Sequence, residues 1–377
     1  MQWIDQQSKS KSMPAFANCL GNWRPDFLLT NNSNPSSVHG IGFQVCEINS
    51  RSPINAIIHS ANKHSMARKI LGPNSIIEPA GDNQTMVDSL LGSWDLNLPI
   101  HIVRGRDSLE RSEFRFIAKK KAGSFPRLVN VSDLQLLPDS SSPTGYALYC
   151  NNPEPKNKDS KLERVHQVLL TLFPEEFALL SQEMLRHLAK IAINDFRTIL
   201  FVNDQRFLGI ILQEVDSLVA KHKILTPEQG QLLQQGIVPT VLPGSRELKE
   251  IVASGHEEGD QKNRYILKAA RESRGKGHVL GVQLSAAEWK STLLEMQNPT
   301  IRTGTTSYVL QQYVQQPELD VVLDAKTTVR NSKMVGTFYT ANGRYVGLGP
   351  WRSGNGKICN VFSGPCVLLM SVTTADT

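Results

Sequence analysis

Arg24-Pro25-Asp26-Phe27 and, about twenty residues on, Cys46-Glu47-Ile48-Asn49-Ser50-Arg51 are the stretches that decide how this chain is read. Phe27-Leu28-Leu29 and Phe43-Gln44-Val45-Cys46 are short apolar runs, and Asn31 to Ser37 between them has the Asn, Ser and Pro content of a turn. The pattern predicts a hairpin. Residues two apart on a strand point the same way, so Glu47 and Asn49 share a face, and Asp26 can meet them from the partner strand. Carboxylate and amide oxygens grouped in this way suit magnesium, which keeps several waters and is completed by nucleotide phosphates. Two solvated strand carboxylates would give the same letters. A matching nucleotide site elsewhere in the chain would separate the two readings.

Downstream, Tyr265-Ile266-Leu267-Lys268 reads as a strand ending in lysine. Arg271 to Gly281 follows as Arg-Glu-Ser-Arg-Gly-Lys-Gly-His-Val-Leu-Gly. Small residues let backbone N–H groups approach phosphates, and Arg274 and Lys276 beside Gly275 and Gly277 add charge. A basic surface turn is the alternative, since the spacing is neither that of the Walker loop nor of the dinucleotide fingerprint. Tyr308-Val309-Leu310-Gln311-Gln312-Tyr313-Val314 then runs as an apolar strand into Gln315-Gln316-Pro317-Glu318. Adenine is held by backbone hydrogen bonds where such a strand leaves its sheet, and Glu318 just beyond could take the ribose hydroxyls.

The order of these parts resembles the circularly permuted ATP-grasp family of the glutathionylspermidine synthetase type, over most of the chain. Lysine strand, glycine loop and adenine strand come late, whereas the Arg-x-Asp and Glu-x-Asn strands stand at the front. The resemblance implies an α/β fold with α+β elements, a circularly permuted ATP-grasp with a Rossmann-like substrate domain. It implies ATP and Mg2+ as cofactors, with metal at Asp26, Glu47 and Asn49. ATP would lie on Lys268, Arg274, Gly275, Lys276, Gly277, Gln311, Gln312, Tyr313, Val314 and Glu318. Arg24 would hold acyl phosphate oxygens, a salt bridge to a nearby carboxylate being its other reading. Arg352, in the Gly349–Lys357 segment with its glycines, would touch the transferring phosphoryl group, and Lys357 reads equally as an exposed loop residue. A lysine is implied where Gln205 stands, so either phosphate contact is weakened or Arg206 replaces it. A helix ahead of Arg24 is also implied, of which the sequence offers only Pro14 to Leu20, leaving an apolar face of the metal sheet to be covered.

The chain has 377 residues, enough for two or three domains, with 40% hydrophobic and 20% charged residues, as expected of a globular enzyme. A net charge of +6 suits anionic ligands. Lys119-Lys120-Lys121 lacks interleaved aromatics, which argues against nucleic acid. Five cysteines without CxxC spacing read as reduced thiols, and Cys46 as a small buried residue. No apolar run reaches a membrane span and Met1 to Ser12 is polar, so a cytoplasmic protein without a membrane partner is expected. His39, His59 and His64 lack zinc spacing, and no GxSxG elbow supports a hydrolase.

Along the chain, 1–72 is expected to carry the metal strands and a helix ending at Gly72-Pro73. Segment 73–160 is expected to form the α/β substrate domain, with strands at Pro99–Val103, Arg127–Val131 and Tyr146–Cys150. Segment 161–235 is expected to be a helical connection, with Val165, Val168, Leu169 and Leu172 at helical spacing, Phe201-Val202 as a strand, and Asp204 capping the next helix. Segment 236–377 is expected to be the nucleotide-binding part, with a hairpin around Asn342-Gly343. Arg104, Asp107 and Arg197 are the expected substrate region. The parts support an ADP-forming carboxylate–amine ligase working through an acyl phosphate, on an amino acid or small peptide. A degenerate member that binds nucleotide or a partner without ligating is the alternative. Oligomeric state stays open.

Overall fold

The hairpin forms from β1 (Asn22–Asn31) and β2 (Ile41–Asn49), with Arg24 opposite Asn49 and Asp26 opposite Glu47. It belongs to a computed structural model that describes residues 1–31, 41–106, 113–142, 144–152, 161–254, 260–272, 275–300, 306–323, 326–354, 356, 358–359 and 366–374. Pro25 has no N–H to give the ladder, and strands tolerate proline at edges or bulges. Here the register shifts immediately after it: Asp26 faces Glu47 while Phe27 faces Val45, so Cys46 is the extra residue of a β-bulge.

Among the described residues nine further strands surround the site. They are β3 (Thr240–Val241), β4 (Tyr265–Ala269), β5 (Val279–Leu280), β6 (Tyr308–Gln312), β7 (Leu319–Val322), β8 (Thr328–Ala341), β9 (Arg344–Leu348), β10 (Trp351–Gly354) and β11 (Val367–Leu369). Among the described residues one sheet runs β11-β10-β8-β1-β2, with β7 and β9 also on β8, and a second runs β3-β6-β4-β5. The first sheet joins the two ends of the sequence, since β8 pairs antiparallel with both β1 and β10. Asp26 lies opposite Thr337 and Arg352 opposite Val335, two residues away on β8 and so on the same face. On the other face Gly336 lies opposite Phe27, whose ring occupies the space a Cβ would need. The β8–β9 hairpin turns at Asn342 and Gly343, with φ of 47° and 78°, as the Asn-Gly pair predicts.

Behind the second sheet, Trp289, Leu293, Leu248, Leu267 and Leu310 are buried together. The helices that supply them, Arg246–Ala253 and Ala286–Met296, are capped by Ser245 and by a Ser285–Glu288 box. Helix α2 (Ile54–Leu71) buries Ile54, Ile57 and Ile58 against Met86, Leu90 and Ile102. It ends at Gly72 as expected, with φ of 78°. Ile102 belongs to a parallel sheet of His101–Arg104, Arg127–Asn130 and Val168–Leu170.

Three readings of the sequence need correction. Leu162–Arg164 and Val168–Leu170 are strands, not helix. Val168, Leu169 and Leu170 are all buried, and a short run covered on both faces does not reveal its period. Thr198–Val202, expected to contain a strand, is a helical π turn. Helix α1 (Gln2–Lys9) precedes the Pro14–Leu20 segment, so a helix does stand ahead of β1, but its Ile4, with Met13, is buried against Val103, Val129 and Phe196 rather than on the metal sheet.

Candidate active site

The two sheets are tied by the bulge. Free of the regular ladder, the Cys46 carbonyl accepts from Lys268 Nζ at 3.0 Å and from Gln311 Nε2 at 3.2 Å. Gln311 also donates to Thr240 Oγ1 at 2.9 Å, and Lys268 is 6% exposed. The lysine at the end of β4 is thereby held over the carboxylate-bearing hairpin. Between the sheets lies a cavity of about 720 Å³. Its wall includes Arg24, Asp26, Glu47, Asn49, Lys268 and Arg352, and it falls within the size range of ligand pockets.

Asp26 is fully buried. Arg24 Nε donates to its Oδ1 at 3.2 Å and Arg352 Nη2 to its Oδ2 at 2.5 Å. On Glu47, Oε1 accepts from Asn49 Nδ2 at 2.9 Å and Oε2 from Gln205 Nε2 at 3.2 Å. Burial is the largest influence on both carboxyls. At Asp26 it outweighs Arg24 and Arg352 and raises the pKa. At Glu47 burial is opposed by the Lys268 charge, a hydrogen bond with Asp26 and the Arg352 charge, which together hold the carboxyl well below its usual range. The Cys46 thiol is pushed up to about 12 by burial, so it is a packing residue rather than a nucleophile.

Asp26, Glu47 and Asn49 offer hard oxygens on one face of a hairpin, with cavity space beside them for phosphate and water. Such a donor set fits magnesium, which takes few protein ligands. Among the described residues no three His, Cys, Asp or Glu side chains form a closed metal cage.

The other expected nucleotide residues divide. Gly275, Gln312, Tyr313 and Val314 line the cavity with Lys268 and Gln311. Gly275 has φ of 72°, the left-handed conformation that brings its backbone in without a Cβ penalty. Gly277 and Glu318 lie outside the lining, and Lys276 is directed to Glu272 at 3.8 Å. Arg274, Lys357 and Asp107 lie outside the described residues. Arg104 pairs with Asn130 Oδ1 at 2.7 Å away from the cavity. Arg197 is buried on Asp195, Ser8 and the Pro14 carbonyl, where it fastens the N-terminal segment rather than a substrate. Arg206, the possible stand-in for a lysine at 205, is committed to Asp204 at 2.5 Å.

Residues without an assigned role in the sequence also converge here. Asn203 Oδ1 accepts from the Ser50 and Arg51 backbone, fixing the end of β2, and the side chain lines the cavity. Arg51 lies flat on Phe173, with its guanidinium carbon 3.6 Å from the ring centroid. His278, inside the glycine-rich run, is on the wall as well.

The fold and this cavity define an ATP-grasp enzyme, in the circularly permuted arrangement. The chain belongs to the AnkG family of ATP-grasp enzymes: residues 1–201 match the family described as AnkG N-terminal domain. The chain is 36% identical over 356 residues to the ATP-grasp enzyme ankG of Aspergillus thermomutatus, covering 91% of this chain and 73% of that protein. A solved structure of a glutathione synthetase-like effector from Globodera pallida, in its apo form, superposes with a TM-score of 0.51. That match has 10% identity and covers 98% of this chain and 79% of the effector, and it speaks to the fold alone.

Two outcomes are expected. Arg352→Met leaves a buried carboxylate half-compensated and costs roughly 3–5 kcal/mol in urea unfolding, most of which Asp26→Asn in the same chain restores. A double variant as unstable as the single one would contradict the pairing. Burial, and then the Lys268 charge, hold the His278 imidazole down at about 4, against an ordinary value of 6.5. The unfolded imidazole therefore protonates first, and stability falls as pH drops from 6.5 towards 4. Unfolding midpoints measured across that window should fall less steeply in His278→Gln.

Proposed function

We propose that the protein is an ATP-dependent, ADP-forming ligase that joins a carboxylic acid to an amine through an acyl phosphate. What supports this most is the convergence of Asp26, Glu47, Asn49, Arg24, Arg352 and Lys268 on one cavity from distant parts of the chain. In this reading adenine lies where β6 leaves its sheet, along Gln312, Tyr313 and Val314, with Ile266 on the wall. The phosphates run past Lys268 and the Gly275 backbone towards the hairpin. Asp26, Glu47 and Asn49 would hold magnesium, which when bound neutralises phosphate charge and clamps the group in transfer.

The chain's own contribution is positioning and electrostatics. Arg24 on β1 and Arg352 on β10 flank β8 and project beside the carboxylates, where guanidinium groups can take the equatorial oxygens of a phosphoryl in flight. The substrate carboxylate oxygen attacks the γ-phosphorus and the bond to ADP breaks. The amine nitrogen then attacks the acyl carbon, phosphate leaves, and the amine proton passes to solvent. No nucleophilic side chain is needed.

Segments 1–72 and 236–377 would together make the nucleotide and metal unit. Segment 73–160 would serve as the substrate domain and 161–235 as the connection that carries Asn203 and Gln205 to the site. The substrates would be small molecules, an amino acid or short peptide among them, in a cytosolic pathway of specialised or primary metabolism. Gln205 favours one rival, a nucleotide-binding protein that does not ligate, because a neutral amide stands where the resemblance implies a lysine.

Purified protein with ATP, magnesium and a panel of amino acids and polyamines should release phosphate only when the right pair is present. Glu47→Gln should lower that rate by about a hundredfold or more, the scale of losing an electrostatic group in the transition state. Substrate-independent release, or full activity in the variant, would overturn the assignment.

A further inference from the structure

Cys359 and Cys366 stand apart from the other thiols. Their Sγ atoms are 3.5 Å apart, both side chains are partly buried, and Cys359 is on the cavity wall beside Ile358. Cys46 and Cys150 are buried, and Cys19 donates to the Ala15 carbonyl at 3.3 Å and to Asp195 Oδ2 at 3.4 Å. Cys366 immediately precedes β11, whose Val367 pairs with Ser353 of β10, and Cys359 follows the end of β10 by five residues. The sheet thus fixes one thiol, and the cavity wall holds the other within reach. A disulfide needs an S–S distance of about 2.05 Å, so the sulfurs must close by only about 1.5 Å.

We propose that Cys359 and Cys366 form a thiol–disulfide modification site on the wall of the nucleotide cavity, oxidised by a low-molecular-weight disulfide of the glutathione class. The Cys366 sulfur attacks one sulfur of oxidised glutathione, breaks its S–S bond and expels one glutathione thiolate. Cys359 then attacks the Cys366 sulfur of the mixed disulfide and expels the second glutathione. The two protein protons pass to the two glutathione thiolates, so two thiols are oxidised and one disulfide is reduced to two. Burial, and then the Cys366 hydrogen bond, push the Cys359 thiol up to about 12, which suits it to the second, intramolecular step. Resting on the ligase reading, bound Mg·ATP covers Cys359 and protects the pair.

The test incubates the full chain with oxidised glutathione, quenches with an alkylating reagent and maps peptides by mass. A Cys359–Cys366 disulfide is expected, with Cys19, Cys46 and Cys150 alkylated. In Cys366→Ser, Cys359 should stay alkylatable. Two reduced cysteines, or stable glutathione adducts on either, would overturn the site. With Mg·ATP at ten times its calorimetric Kd, disulfide formation should slow by about tenfold, because only the empty form reacts. Unchanged rates at proven occupancy would overturn the protection. A protein that forms the disulfide but shows no ATP binding would sink the ligase reading and leave the thiol site standing.

Discussion

A buried carboxylate held between two guanidiniums is the constraint on which the site depends. Asp26 has no exposed surface, and its charge is tolerable only because Arg24 reaches it along β1 and Arg352 reaches it across β8. Arg24 and Arg352 are more than three hundred residues apart in sequence. The ion pair therefore works as a lock on the permuted arrangement: unless β8 inserts between β1 and β10, Asp26 has only Arg24 of its own strand to compensate its charge. The same arrangement turns Thr337, Val335 and both arginines towards one cavity, so the stabilising contact and the reactive surface are a single feature.

The bulge at Cys46 does comparable work between the sheets. A regular ladder would have used its carbonyl within the hairpin. Displaced, it accepts from Lys268 and Gln311, and this sets the distance between the nucleotide strands and the carboxylates. Lys268 is also the strongest charge acting against the burial of Glu47, which keeps that carboxylate ionised at neutral pH while Asp26 is pushed the other way. Perturbed carboxyls in a cleft of this kind cluster at functional sites.

Much of this was legible in the sequence where local chemistry determines geometry. Period-two spacing placed Glu47 with Asn49, and turn composition placed Asp26 across from them; Asn342-Gly343 gave its hairpin for the same kind of reason. Legibility failed where the answer depends on what covers a segment. Val168–Leu170 is buried on both sides and carries no period. Arg197 has the composition of a substrate anchor, but burial gave it Asp195 and the N-terminal segment as partners. That Gln205 carries no charge is plain in the sequence, but that its amide donates to Glu47 Oε2 depends on the fold of residues 198–206 against β2. Lys276 and Glu318 have the right chemistry at the right distance along the chain, yet their side chains lie off the wall, since spacing in a loop fixes reach and not direction. The carbonyl of Cys46 could not be read at all, because backbone acceptors leave no letter in a sequence.

Calorimetric titration of ATP into the protein, with magnesium and then with a chelator, tests most directly whether this cavity is a nucleotide–metal site. Saturable binding of one ATP per chain is expected, tighter with magnesium by about tenfold or more, or roughly 1.4 kcal/mol. No binding, or binding of equal strength with the chelator, would contradict the placement of metal at Asp26, Glu47 and Asn49.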